Sequence, residues 1–123
     1  MSQTRILVVD DDRGSCAILA RMLTRWGYEV DISLDPFKSL QMVEQNDYQL
    51  AVLDYQMPGM NGVELYHRIQ EIRPELPAIF ETAYPRIDVV FAAIEGGVSR
   101  VLPKPIDFAE LRPVVAELAG EPA

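Results

Sequence analysis

The chain has 123 residues, 49% of them apolar and 24% charged, the size and make-up of one globular domain with one core. Its 19 acids outnumber its 11 Lys and Arg for a formal net charge of −8, which leaves no basic face for direct nucleic-acid binding. No apolar run approaches the roughly 20 residues of a membrane span, and a lone cysteine, Cys16, cannot close an internal disulfide.

The chain opens MSQTRILVVDDD, one Arg, a four-residue apolar core and then three acids, unlike any signal peptide, so a reducing, cytoplasmic setting is expected. Arg5–Val9 is a short β-branched run that reads as a buried strand. A helix is predicted over Arg13–Trp26, with Ile18, Leu19, Met22 and Leu23 at helical spacing and Gly27 at its C-cap. Glu29–Ser33 alternates as a half-exposed strand; Asp35-Pro36 then caps a helix running to about Gln45. Leu50–Leu53 is a third strand ending at Asp54, followed by the loop Gln56–Gly62 and a helix over Val63–Ile72. Pro77–Glu81 is a fourth strand ending at Thr82, Arg86–Glu95 a helix closed by Gly96-Gly97, and Arg100–Pro103 a fifth strand. Asp107 caps the last helix, Glu110 completes a capping box, and Pro113 is expected to kink it.

Five strands alternating with five helices imply an α/β fold: three layers, with a doubly wound parallel sheet covered on both faces. In such sheets the ligand site lies beyond the carboxyl ends of the strands. Those ends hold Asp10, Asp11 and Asp12, then Asp54, Thr82 and Lys104. Two like charges about 5 Å apart at an effective dielectric near 20 repel by roughly 3 kcal/mol. Asp10, Asp11 and Asp54 can therefore meet only if a carboxyl takes up a proton or a cation sits among them. Hard oxygens without His or Cys nearby favour Mg²⁺. With the Lys104 amine and the Thr82 hydroxyl as clamps, the set forms a cradle for phosphoryl transfer to an aspartate.

VVDDD at Val8–Asp12, LDYQMPGMNG at Leu53–Gly62, ETAY at Glu81–Tyr84 and LPKPID at Leu102–Asp107 stand in order and in register. Together they resemble the four blocks of bacterial two-component response regulator receiver domains, over nearly the whole chain. The resemblance implies a flavodoxin-like sheet of strand order 2-1-3-4-5 and a phosphorylation-dependent signalling switch rather than an enzyme acting on other molecules. It implies that Asp54 accepts the phosphoryl group, that Asp10, Asp11, Asp54 and the Gln56 carbonyl ligate Mg²⁺, and that Thr82 and Lys104 respond. A histidine kinase or histidine phosphotransfer protein is the implied donor. The resemblance also implies that output should pass to a downstream domain or protein through the fourth helix, fifth strand and last helix. Lys104-Pro105 resembles the family's cis peptide. Asp12 lies one past the acidic pair and is read as a helix N-cap. The chain closes on GEPA after the last helix, which leaves a stand-alone regulator and a part of a longer protein both open.

Two positions depart from the family pattern, Val101 and Glu81. Val101 stands where an aromatic three residues before the lysine normally turns inward. Gln56 and Tyr84 occupy the places that tune the lifetime of the phosphoryl group, and a bulky Tyr84 is expected to hinder attacking water. Glu81 replaces an apolar residue in a buried strand; an unpaired carboxylate there is costly, so it is expected at the sheet's edge or paired with Arg100. The only histidine, His67, is expected on the surface. Val101 keeps one rival open, a pseudo-receiver that serves as a protein-interaction module. A small aspartyl-phosphate phosphohydrolase and a flavin-binding protein of like topology are weaker rivals.

Overall fold

The computed structural model describes residues 4–83 and 86–122, without the side chains of residues 87 and 91. Strands β1 (Arg5–Val9), β2 (Glu29–Ser33), β3 (Leu50–Asp54), β4 (Ala78–Thr82) and β5 (Arg100–Pro103) alternate with helices α1 (Arg13–Arg25), α2 (Pro36–Gln45), α3 (Gly62–Ile72), α4 (Ile87–Glu95) and α5 (Phe108–Ala119). All strand pairs are parallel, in the order β2-β1-β3-β4-β5. This is the predicted sheet, and element ends differ from the sequence reading by one residue where they differ.

The two-residue period of a strand divides the core in two. Ile6 and Val8 of β1, Leu50 and Val52 of β3 and Ile79 of β4 pack with Cys16, Leu19 and Leu23 of α1 and Leu111 and Val115 of α5. Their neighbours Leu7, Val9, Ala51, Leu53, Ala78 and Phe80 face the other way, onto Val43 of α2, Leu65 and Ile69 of α3 and Ala93 of α4. The inner strands are buried on both faces, which is why they read as continuous apolar runs. The edge strand β2 is only partly covered.

Local signals fix the helix ends. The Asp35 side chain accepts from the Phe37 N–H with Pro36 at the first helical position, and Asn61 accepts from the Glu64 N–H at the start of α3. Gly27 follows α1 with φ +103°, a backbone state that other residues adopt at a cost. At α5 the Asp107 cap bond lands on the Ala109 N–H rather than that of Glu110, one residue earlier than a capping box places it. The helix continues through Pro113 to Ala119. His67 is exposed, as expected.

Candidate functional site

The carboxyl ends of β1, β3, β4 and β5 meet at one rim. Asp10 follows β1 directly and is completely buried; Asp54 ends β3 and is 7% exposed; Thr82 ends β4 and is 1% exposed. Asp11 stands beside them in the open. One oxygen from each of Asp10, Asp11 and Asp54 lies within 4.8 Å of the others. Three carboxylates that close are the expected oxygen-rich set for a hard divalent cation, so these residues fit Mg²⁺.

Lys104 closes the rim from beyond β5. The Lys104-Pro105 peptide is cis, and the Lys104 N–H donates to the Thr82 carbonyl at 2.8 Å, tying the ends of β4 and β5 together. Its ammonium donates to Asp10 Oδ2 at 2.9 Å and stands 3.5 Å from Asp54 Oδ2. The Gln56 N–H donates to Asp54 Oδ1 at 3.3 Å, which places Gln56 against the acceptor carboxyl. The loop carrying Gln56 returns through Gly62, whose N–H donates to the Tyr55 carbonyl at 2.7 Å. A Cβ on Gly62 would lie 2.9 Å from the Asp54 carbonyl oxygen and 3.0 Å from Tyr55 Cα. Only glycine lets the backbone pass this close behind Asp54.

Asp12 occupies the N-cap position of α1, as expected, but its carboxylate accepts from the Ser15 hydroxyl at 2.6 Å. Val101 is half-buried and packs against the core under α2, α3 and α4, in register with Phe80. Tyr84 lies outside the described residues.

Glu81 corrects the sequence reading. It is neither at the edge nor paired with Arg100, which reaches Glu117 instead at 3.4 Å. Glu81 lies on β4 between β3 and β5, 3% exposed and in register with Asp54. Its carboxyl shares a hydrogen bond with Asp10, while its Oε1 is the one buried side-chain oxygen without a partner among the described residues. The signal was present in the strand period. Glu81 is two residues from Ile79 and so faces α1 and α5, as Asp10 does two residues beyond Val8.

Three buried carboxyls and one ammonium make a strongly perturbed cluster. Burial, and then the negative Asp10, push Asp54 up to about 7 against the pull of Lys104. Burial and the hydrogen bond to Asp10 push Glu81 up to about 8. Burial also acts against ionised Asp10, but the Asp12 N–H, the Glu81 carboxyl and Lys104 outweigh it and hold Asp10 below its usual range. Burial opposes the charge on Lys104, and the three carboxyls overcome that and raise it. Without a metal ion the surroundings thus favour Asp10 as the ionised partner of Lys104 and favour protons on the other two. Both solutions the sequence left open, a proton or a cation, are available to this rim.

Comparison with known proteins bears on the same residues. The family model for the response regulator receiver domain matches residues 6–116. Over 115 residues, 94% of this chain, the sequence is 35% identical to the transcriptional regulatory protein ZraR of Klebsiella oxytoca, covering 26% of that protein. It is 34% identical, over 99% of the chain, to the DNA-binding transcriptional regulator NtrC of Rhizobium meliloti, covering 25% of it. The chain therefore spans about a quarter of the length of these curated relatives. A CheY-like response regulator receiver domain protein from Methanospirillum hungatei superposes with a TM-score of 0.89 at 29% identity, over 94% of this chain and 93% of that one.

Proposed function

The chain belongs to the response regulator receiver domain family, whose members signal by phosphorylation, and on that premise we propose that it is a two-component switch accepting a phosphoryl group on Asp54 with Mg²⁺. The observation that carries this reading is the convergence of Asp54 with Asp10 and Asp11 within 4.8 Å, with the Lys104 ammonium 3.5 Å from Asp54.

An Asp54 carboxylate oxygen attacks the phosphorus of a phosphohistidine on a kinase or phosphotransfer protein, and the phosphorus–nitrogen bond breaks. Asp10, Asp11 and Asp54, with the Gln56 carbonyl, would hold Mg²⁺, which supplies charge neutralisation for the transferring group. Lys104, between Asp10 and Asp54, takes up the new negative charge, and the Thr82 hydroxyl at the end of β4 donates to a phosphoryl oxygen. A phosphoryl group adds roughly −1.5 to −2 charge at this rim, so Lys104 has reason to exchange Asp10 for the phosphoryl oxygens. That exchange pulls on the β5–α5 junction and biases the face of α4, β5 and α5 between two states. The domain turns over no external substrate. It works in the cytoplasm, its output runs through a partner or an attached domain, and its net charge of −8 keeps it off nucleic acid itself.

Incubation with acetyl phosphate and Mg²⁺ tests the reading by intact-mass spectrometry. Wild type should gain one phosphoryl group, and Asp54→Asn and a chelated sample should gain none. Continued labelling of Asp54→Asn would falsify Asp54 as the acceptor. Val101 favours one second reading, a module that is phosphorylated but switches weakly. In that case labelling is normal while the amide spectrum outside the rim stays unchanged.

A further inference from the structure

The loop between β3 and α3 is anchored from below and open at its crest. Met57 and Met60 are buried in the core that α2 and α3 share, and the Gly62 N–H bonds the Tyr55 carbonyl behind Asp54. Between these anchors Pro58 and Gly59 are exposed, and Gly59 has φ +85°. Proline followed by a glycine at positive φ is the pattern of a type II turn, and glycine is the residue with most backbone freedom to lose there. On the neighbouring helix α2, Pro36, Ser39 and Val43 are buried, while Phe37 falls off that face and is 52% exposed. Helix N-termini and strand carboxyl ends share one edge in a doubly wound sheet, so a ring in the first turn of α2 stands at the level of the rim. It reaches the loop. A Cβ on Gly59 would lie 3.3 Å from Phe37 Cε2 and 3.9 Å from Cζ, and apart from Gly59's own chain neighbours no other described residue comes within 4 Å of that point.

We propose that Phe37 is a positioning residue for the candidate metal site, its ring bracing the crest of the loop that carries Gln56. The inference rests on the phosphorylation reading, which gives the Gln56 carbonyl to the metal, and adds a residue to it. A backbone carbonyl has no rotamer to adjust, so the path of the loop alone sets where that oxygen points. Met57, Met60 and Gly62 fix the loop from its inner side, which leaves the Pro58-Gly59 crest as the part free to shift. Individually weak dispersion contacts add up over a flat ring, and the bare Cα of Gly59 lets the ring come close. Groups that touch no metal but hold its ligands in place are known to set metal affinity, and Phe37 stands in that relation to Gln56.

The test compares wild type, Phe37→Ala and Phe37→Tyr by amide hydrogen exchange in chelator and by Mg²⁺ titration followed by NMR. Phe37 is half-exposed and alanine suits a helix, so the fold should survive both changes. The amides to watch are Gln56, which donates to Asp54 Oδ1, and Gly62, which donates to the Tyr55 carbonyl. In metal-free Phe37→Ala both should exchange about fivefold faster, while amides of β1 and β3 keep their rates. Mg²⁺ should bind this variant about threefold more weakly. Phe37→Tyr keeps the ring and should restore both values. Unchanged exchange at Gln56 and Gly62 in Phe37→Ala overturns the proposal, and so does faster exchange with unaltered Mg²⁺ affinity. A wild type that binds no Mg²⁺ fails the phosphorylation reading instead; the exchange arm runs without the ion and still decides whether the ring braces the loop.

Discussion

Lys104 Nζ donates to Asp10 Oδ2 at 2.9 Å, the carboxylate of the first strand, and is held there before any phosphoryl group arrives. This pair joins the two ends of the sequence across 94 positions. It also makes Lys104 a competitor of any cation at the rim.

Removing that competitor should tighten metal binding. For Lys104→Ala, Mg²⁺ affinity is expected to rise about tenfold, because a positive charge within a few ångströms of the ion is lost in a partly buried site. Calorimetric titration of both proteins checks this; unchanged or weaker binding would mean that Asp10 and Asp54 do not ligate the ion. The same variant should lose the spectral change that follows phosphorylation.

Metal-free stability should fall as pH rises. Asp54 and Glu81 have folded pKa values raised to about 7 and about 8, above the ordinary 3.8 and 4.5 of these side chains. The folded state therefore binds more protons than the unfolded one between these limits, and the stability slope with pH is negative. The contribution is fully present below about 4 and is lost as pH passes through 7 and 8. Urea midpoints in chelator, compared with those of Glu81→Gln, isolate the second group. The variant should gain on wild type steadily from pH 5 to 8, and a constant difference would reject the shift at Glu81.

Gly62→Ala should harm both fold and site. Its Cβ would meet the Asp54 carbonyl oxygen and Tyr55 Cα, atoms that can yield only by moving the end of β3. A loss of about 1–3 kcal/mol is expected, in the range of other overpacking changes, with weakened Mg²⁺ binding. Gly14→Ala is the control. Its Cβ meets nothing nearer than Asp12 Oδ1 at 3.8 Å, on an exposed turn of α1, so helix propensity should give a gain of about 0.5–1 kcal/mol.

Asp35 offers a test away from the rim. Its carboxylate accepts the Phe37 N–H at 2.9 Å at the start of α2, and Asp35→Ala should cost about 1 kcal/mol in urea denaturation while phosphorylation proceeds unchanged. A slower labelling rate would place α2 in the switch.

Much of this molecule was legible from its residues. The apolar runs and caps dictate β1, α2 and β5 to the residue, because Pro36 and the short β-branched stretches admit few alternatives. The rule that ligands lie beyond the strand ends brought Asp10, Asp54 and Lys104 together before any coordinates. What stayed hidden depends on side-chain direction and on partners from other strands. Burial of a carboxyl is rare enough that Glu81 read as an edge residue, although its parity with Ile79 pointed inward toward Asp10. That Asp10 rather than Asp54 holds Lys104 follows from a difference of under an ångström, which no spacing encodes.

Cys16 sits beneath this rim, 1% exposed, its thiol donating to the Asp10 carbonyl at 3.3 Å. Burial, with the negative Asp10 and Glu81, pushes the thiol up to about 12. Because the thiolate is the reactive form, a maleimide or disulfide reagent can modify the molecule only in moments when the first helix lifts from the sheet. The domain thus carries a built-in stopwatch for local opening, placed against the backbone of a candidate metal ligand. Its alkylation should slow in proportion to how firmly the rim is occupied, turning occupancy into a rate that can be read without a label.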